Sequence, residues 1–119
     1  MKKKNIVKEN KDFSNIINNG KRIWNDTYSI YYEKNKYENY RIGISVSKKL
    51  GNAVVRNKIK RQLRNIIDKY KNNYQNNMDY IIIVRRNYIN LNFSQLEMKY
   101  LELINKITHK KENKNEKEK

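Results

Sequence analysis

A strand, a turn and a helix are predicted in succession by residues 41–64, RIGISVSKKLGNAVVRNKIKRQLR. Residues 41–47 alternate apolar side chains with small or polar ones, which is typical of a strand with one face buried. Gly51 interrupts the strand pattern, and Asn52 is suited to cap the first turn of a helix. From residue 53 to about residue 70 the apolar side chains recur with the period of an amphipathic helix.

The predicted helix is divided lengthwise into an apolar half and a basic half. At about 100° per residue, the large apolar side chains fall on one side of the helix axis. They are Val55, Ile59, Leu63, Ile66, Ile67 and Tyr70. The other side carries cations and one amide. These are Arg56, Asn57, Lys58, Lys60, Arg61 and Arg64. We expect the apolar half to pack on a sheet and the basic half to bind a partner.

The distribution of charge indicates what that partner is. The chain has 119 residues and a formal net charge of +16. The 29 residues between Glu38 and Asp68 include eight cations and no acid. Such a block repels itself unless a polyanion binds it. Arginine binds phosphate through two parallel hydrogen bonds, and asparagine can bond a base edge or a 2′-hydroxyl. The helix therefore favours nucleic-acid binding over a merely solvated face.

Two further helices and two further strands are predicted on either side of this segment. Residues 10–20 are predicted to form a short helix, with Asn10 or Asp12 suited to cap its start and Gly20 suited to the left-handed position after its end. Residues 28–32 alternate as a half-buried strand, whereas 80–84 is apolar throughout and predicts a central strand covered on both faces. Ser94 and Glu97 have the spacing of a capping box that opens a last helix.

The order of these elements predicts the fold class. It is α-β-β-α-β-α, and a further short strand near residues 22–24 remains an open alternative. We expect an α+β or α/β sandwich in which a small mixed sheet of about four strands is flanked by three helices.

Length and composition predict one domain followed by a tail. The domain is expected over residues 1–109. Residues 110–119 contain Lys, Glu and Asn without any apolar side chain, and we expect a disordered tail there. There is no Cys, no apolar run approaching the length of a membrane helix, and no secretory signal at the N-terminus. The expected location is the cytoplasm, without a membrane partner.

A self-contained catalytic site is not predicted. The only histidine, His109, borders the predicted tail, and the acidic residues are scattered. A protein nuclease would need clustered carboxylates around a metal, or a positioned histidine base. The residues thus favour a binding protein without catalytic or metal-ligating residues. A structural RNA-binding protein, such as a ribosomal one, stays open, whereas a DNA regulator is disfavoured because no helix-turn-helix unit is present.

Residues 43–64 closely resemble the signature segment of the bacterial ribonuclease P protein subunit. The resemblance extends upstream to Asp12, Phe13 and Gly20 and downstream to residues 79–85. It implies a sandwich fold with a left-handed β-α-β crossover. It also implies two RNA partners, the catalytic RNA and the 5′ leader of precursor tRNA, and no obligate protein partner. The enzyme removes that leader, and in this family the RNA, not the protein, holds the required Mg²⁺.

The resemblance also assigns roles to individual residues. The expected contacts with the catalytic RNA are Lys48, Lys49, Asn52, Arg56, Asn57, Lys58, Lys60, Arg61 and Arg64. The expected lining of the leader cleft is Phe13, Ile17 and Tyr31. Lys58 stands where the family usually has arginine, and it lacks the planar fork that binds phosphate at two points. Ile17 stands where relatives often have an aromatic residue, so stacking there is expected to be weaker.

The aromatic residues themselves leave alternatives open. Phe13 belongs to the apolar stripe of its helix, which favours core packing over stacking on a base. Tyr31 points to the sheet face opposite its apolar neighbours, where stacking and simple surface exposure are equally compatible with the pattern. Trp24 could be a core anchor or a stacking surface. Arg85 and Arg86 could extend a phosphate track or cover the end of the sheet.

Overall fold

The computed structural model describes the backbone of residues 1–118 and the side chains of residues 1–107. The helices and strands are α1 (Asn10–Asn19), β1 (Lys21–Trp24), β2 (Tyr28–Lys34), β3 (Arg41–Ser45), α2 (Ala53–Lys69), β4 (Met78–Val84) and α3 (Phe93–Glu118). Short 3-10 turns lie at Lys3–Asn5, Lys48–Leu50, Lys71–Asn73 and Arg86–Asn90. All side chains of the predicted tail, residues 110–119, lie outside the described residues, so its disorder stays a prediction.

The four strands form one mixed sheet in the order β1-β2-β4-β3. β1 and β4 each pair antiparallel with β2, and β3 pairs parallel with β4. α2 connects the two parallel strands and so forms the expected β-α-β crossover. The predicted fold class is confirmed, including the short strand near residues 22–24, which is β1. The left hand of the crossover remains an expectation from the family resemblance.

The larger part of the core lies between one face of the sheet and helices α2 and α3. Alternate residues of the strands point to this face and pack on the apolar sides of both helices. In α2, Ile59, Leu63, Ile66 and Ile67 are buried, as the helical periodicity predicts. The central position of β4 is also confirmed, since it has a strand on each side and Ile82 is fully buried.

Helix α1 covers part of the opposite face of the sheet. Ile16 and Val7 are buried there against Ile81 of β4. Phe13 packs beside them, and β3 accommodates its ring only because residue 43 is glycine. A methyl group added at Gly43 would lie 2.5 Å from Cζ of Phe13. This smaller cluster leaves the β1 side of the same face open.

Three local predictions are wrong in detail. Val55 is 38% exposed, because it packs beside Gly51 in the first turn of α2 and lies outside the main core cluster. α1 begins after Glu9, without a side-chain cap from Asn10 or Asp12. Gly20 follows α1 in an extended conformation, φ −79°, and leads directly into β1 instead of turning back through the left-handed region.

The cap of α3 lies two residues earlier than predicted. Oδ1 of Asn92 accepts a hydrogen bond from the Gln95 amide at 2.9 Å, and Oε1 of Gln95 accepts one from the Asn92 amide at 3.0 Å. Glu97 is therefore free to bind elsewhere. It accepts hydrogen bonds from Nζ of Lys69 and the hydroxyl of Tyr70, which lower the pKa of its carboxyl and join α3 to the end of α2.

Candidate RNA interface

The segment between β3 and α2 is shaped by a short basic turn and a helix cap. Oγ of Ser47 accepts a hydrogen bond from the Lys49 amide at 3.2 Å, which holds the 3-10 turn Lys48–Leu50. Gly51 then adopts φ 151°, which strongly favours glycine. Asn52 caps α2 as predicted, its Oδ1 accepting from the Val55 amide at 3.0 Å. The two lysines of the turn are thereby fixed just before the start of α2.

The basic side of α2 faces solvent. Side chains of Asn57, Lys58, Arg61 and Arg64 are exposed, and those of Arg56 and Lys60 are partly exposed. Within the described side chains, none of the predicted RNA-binding cations forms an ion pair with a carboxylate. The one acid of α2, Asp68, pairs with the N-terminal ammonium at 3.3 Å. The helix therefore presents positive charge that its own fold does not neutralise.

Asn52 has a structural role that its expected RNA contact would have to share. We predict that Asn52→Ala lowers the free energy of unfolding by about 1 kcal/mol, because an amide of the first turn loses its acceptor. Urea denaturation followed by circular dichroism measures this. Asn57→Ala, on the exposed side of the same helix, is the matched control and should change stability by less than about 0.5 kcal/mol. Equal losses in both variants would contradict the capping role.

One of the eight cations between Glu38 and Asp68 is neutralised by carboxylates from other parts of the chain. Arg41 donates from Nε and Nη2 to the carboxylate of Asp79 at 2.9 and 2.7 Å, and from Nη1 to Asp12 at 3.4 Å. Its guanidinium also stacks 4.6 Å from the centre of the Tyr37 ring. The hydrogen bonds to Asp79 raise the pKa of Arg41. Arg41 is thus a structural residue, and we exclude it from the candidate interface.

The three expected leader-cleft residues lie together on the α1 side of the sheet. Phe13, Ile17 and Tyr31 are each half-buried and belong to the cluster around Ile81. Phe13 contacts the floor of the sheet, which agrees with the packing role that its helical stripe favours. Tyr31 points away from the main core, as the alternation of β2 predicts. We refer to this group of side chains, where α1 packs on the sheet, as the candidate cleft.

Sequence reasoning missed Arg22, which lies beside this cleft. Its Nε donates to Oγ of Ser29 at 2.8 Å, and its guanidinium carbon lies 4.4 Å from the centre of the Trp24 ring and 5.8 Å from that of Tyr31. Trp24 is 55% exposed and is therefore a surface residue, not a core anchor. The available sequence signal was that Arg22 and Trp24, two residues apart, lie on the same side of any strand they form. β1 is too short to predict which face of the sheet that side belongs to without its partner strand.

The two remaining arginines differ in their contacts. Arg85 donates from Nη1 to the carbonyl of Asn25 at 2.6 Å and so holds the turn between β1 and β2. Arg86 is exposed at the start of the 3-10 turn that follows β4.

Among the described residues, no group of three or more acidic, histidine or cysteine side chains could hold a metal ion. Across the same part of the chain, no helix is both long and apolar enough to cross a bilayer.

Comparison with known proteins assigns the family. The family model described as "Ribonuclease P" matches residues 1–108. The chain belongs to this family. Ribonuclease P protein components from two bacteria are similar along most of their length. That of Streptococcus agalactiae is 42% identical over 104 residues, which is 87% of this chain and 94% of the relative. That of Mycoplasma mycoides is 43% identical over 108 residues, covering 90% and 99%.

Solved ribonuclease P proteins have the same fold. The Staphylococcus aureus protein superposes with a TM-score of 0.79 at 35% identity, covering 85% of this chain and 93% of that one. The Thermotoga maritima protein gives a TM-score of 0.75 at 29% identity, covering 82% and 93%. The agreement includes the three helices and the mixed four-stranded sheet that place the basic helix and the cleft.

Proposed function

We propose that this chain is the protein subunit of ribonuclease P, an endoribonuclease that makes the mature 5′ end of tRNA. In this proposal the basic side of α2 and the turn Lys48–Leu50 bind the catalytic RNA. The cleft between α1 and the sheet binds the 5′ leader of precursor tRNA. Catalysis is carried by Mg²⁺ held by the RNA, and the chain supplies binding energy without catalytic residues of its own.

The observation that carries the proposal is the unneutralised charge of α2. A helix face with exposed cations and no carboxylate partner within the described part of the chain is suited to a phosphate backbone. Arg56, Arg61 and Arg64 can each bind phosphate at two points, and Asn57 lies among them as a donor and acceptor for a base or a 2′-hydroxyl.

The cleft offers the complementary chemistry for a single strand. Stacking on aromatic rings is tolerant of sequence, which suits leaders that differ from one tRNA precursor to the next. β3 runs past the cleft floor at Gly43 and then continues into the basic turn that precedes α2. Substrate and catalytic RNA would therefore bind on adjoining surfaces, with the cations of the turn screening the repulsion between the two RNAs.

The leader role predicts that the holoenzyme binds precursor tRNA more tightly than mature tRNA. Because the mature product lacks the single strand, we expect a difference of about tenfold or more, measured by filter binding in Ca²⁺ to suppress cleavage. Tyr31→Ala should reduce the difference and leave binding of mature tRNA unchanged. Equal affinities of the unmodified holoenzyme for the two RNAs would refute the leader role.

A cleavage assay separates this function from that of a structural RNA-binding protein. The chain should stimulate cleavage of precursor tRNA by its cognate catalytic RNA at near-physiological Mg²⁺. Binding to structured RNA without such stimulation would favour the structural role.

A further inference from the structure

The open half of the cleft face carries a second group of side chains. Two cross-strand rows run along this face from β3 to β1. The strand pairing gives one row as Gly43, Ile81, Tyr31 and Arg22 and the next as Ser45, Ile83, Ser29 and Trp24. α1 covers the row around Ile81, whereas the β1 end of both rows remains accessible. Arg22 and Trp24 therefore continue the floor of the cleft beyond Tyr31.

Arg22 is held in a defined position near two aromatic rings. The hydrogen bond from Nε to Ser29 fixes the guanidinium 4.4 Å from the Trp24 ring centre and 5.8 Å from that of Tyr31. Its two Nη groups have no acceptor among the described residues, and its side chain is exposed. The result is a preorganised group of N–H donors with two aromatic rings nearby.

The charges around this group favour an anionic ligand. The carboxylate of Asp26, two residues beyond Trp24, is paired with Nζ of Lys99 at 3.2 Å. Glu33 lies on the same face two residues beyond Tyr31, toward the opposite end of β2 from Trp24. No described carboxylate forms an ion pair with Arg22. An arginine that binds phosphate beside a ring that stacks on a base matches the repeating unit of a single-stranded nucleic acid.

We propose that Arg22 and Trp24 form an additional nucleotide subsite, in which Arg22 binds a backbone phosphate and Trp24 stacks on a base of single-stranded RNA. The subsite deepens the proposed function and rests on it for the identity of the strand, which is the precursor tRNA leader. With strands about 4.8 Å apart, the four-stranded rows span roughly 14 Å, enough for more than one nucleotide. A leader that extends past Tyr31 would reach β1.

The sequence provides a direct probe, because Trp24 is the only tryptophan of the chain. The full chain is titrated with an eight-nucleotide oligouridylate while indole fluorescence is followed. Stacking should quench the emission saturably, and Arg22→Gln should weaken the apparent affinity by about tenfold and reduce its salt dependence by about one phosphate contact. Lys36→Gln, an exposed cation on the turn after β2, is the charge-matched control and should leave the titration unchanged.

A second measurement uses the holoenzyme and precursor tRNAs whose leaders differ in length. Trp24→Ala should lower affinity for long leaders by about tenfold and leave the shortest leaders and mature tRNA unaffected, while Trp24→Phe should retain most of the affinity. Urea midpoints of the Trp24 variants should match that of the unmodified chain, because Trp24 is exposed. The midpoint of Arg22→Gln is measured alongside, because its hydrogen-bond partner Ser29 is buried.

The outcomes separate the subsite from the wider function. If Tyr31→Ala weakens leader binding but Trp24→Ala does not, the subsite is wrong and the leader cleft stands. Suppose that the unmodified holoenzyme binds precursor and mature tRNA equally, yet the oligonucleotide quenches the Trp24 emission and Arg22→Gln weakens that quenching. The subsite then binds single-stranded RNA and the leader assignment is wrong. Absence of quenching, or a blue shift on anionic phospholipid vesicles instead, overturns the subsite.

Discussion

Asp79→Ala is expected to lower the free energy of unfolding by about 3–5 kcal/mol. Asp79 is 5% exposed and accepts hydrogen bonds from Nε and Nη2 of Arg41 and from Nδ2 of Asn35, the last at 2.8 Å. Its removal leaves the guanidinium of Arg41, whose side chain is 14% exposed, with only the longer contact to Asp12. Urea denaturation of the isolated chain, followed by far-ultraviolet circular dichroism, measures the loss.

Two further variants show whether the loss comes from the stranded charge. Asp68→Ala removes an exposed carboxylate that pairs with the N-terminus, and should cost less than about 1 kcal/mol. The double variant Arg41→Met, Asp79→Leu removes both charges and should be more stable than Asp79→Ala alone. A loss below about 1 kcal/mol for Asp79→Ala would show that water can replace Asp79 as the partner of Arg41. Arg41 would then count again as a residue of the candidate interface.

The pairing of Arg41 illustrates a limit of reasoning from charge along the sequence. Asp79 is 38 residues from Arg41 in the chain, but the parallel register of β3 and β4 places the two directly opposite each other. An acid-free segment can therefore still be neutralised across a sheet. The cations of α2 escape this because they lie on the side of the helix that faces away from the sheet, which its own periodicity predicts.

Elements with a strong period were predictable, and their ends were less so. The buried side of α2 and the central position of β4 follow from apolar patterning alone. The cap of α3 was misplaced because Asn92 with Gln95 and Ser94 with Glu97 both have the required spacing, and only packing decides between them. The hand of the crossover has no signature in the pattern, and the general rule for parallel strands favours a right-handed connection.

The candidate site shows the same division. The basic helix could be recognised from residues close together in sequence. The role of Arg22 could not, because it depends on Ser29 and Tyr31 of the neighbouring strand, and their register with β1 is set by a three-residue turn. Trp24 is likewise placed on the open face by that register.

Replacing Arg56, Arg61 and Arg64 together by glutamine is expected to weaken binding to the catalytic RNA by about a hundredfold near physiological salt. Each phosphate contact contributes a slope of about 0.9 to the dependence of log affinity on log salt, so three lost contacts should reduce the slope by about 2–3. Filter binding over a series of salt concentrations measures both quantities. The buried side of α2 is untouched, and the urea midpoint should therefore stay close to that of the unmodified chain.

The matched control removes three charges elsewhere. Lys36, Lys71 and Lys106 are exposed and lie outside α2 and the cleft, so replacing all three by glutamine gives the same net charge. If binding depends only on net charge, the two triple variants will lose affinity and salt dependence equally, and the assignment of the interface to α2 is then wrong. If the salt dependence of affinity falls only in the arginine variant, the phosphate contacts are made by α2.

A triple Arg→Lys variant then separates charge from geometry, because it should keep the salt dependence but lose the affinity that depends on two-point phosphate binding.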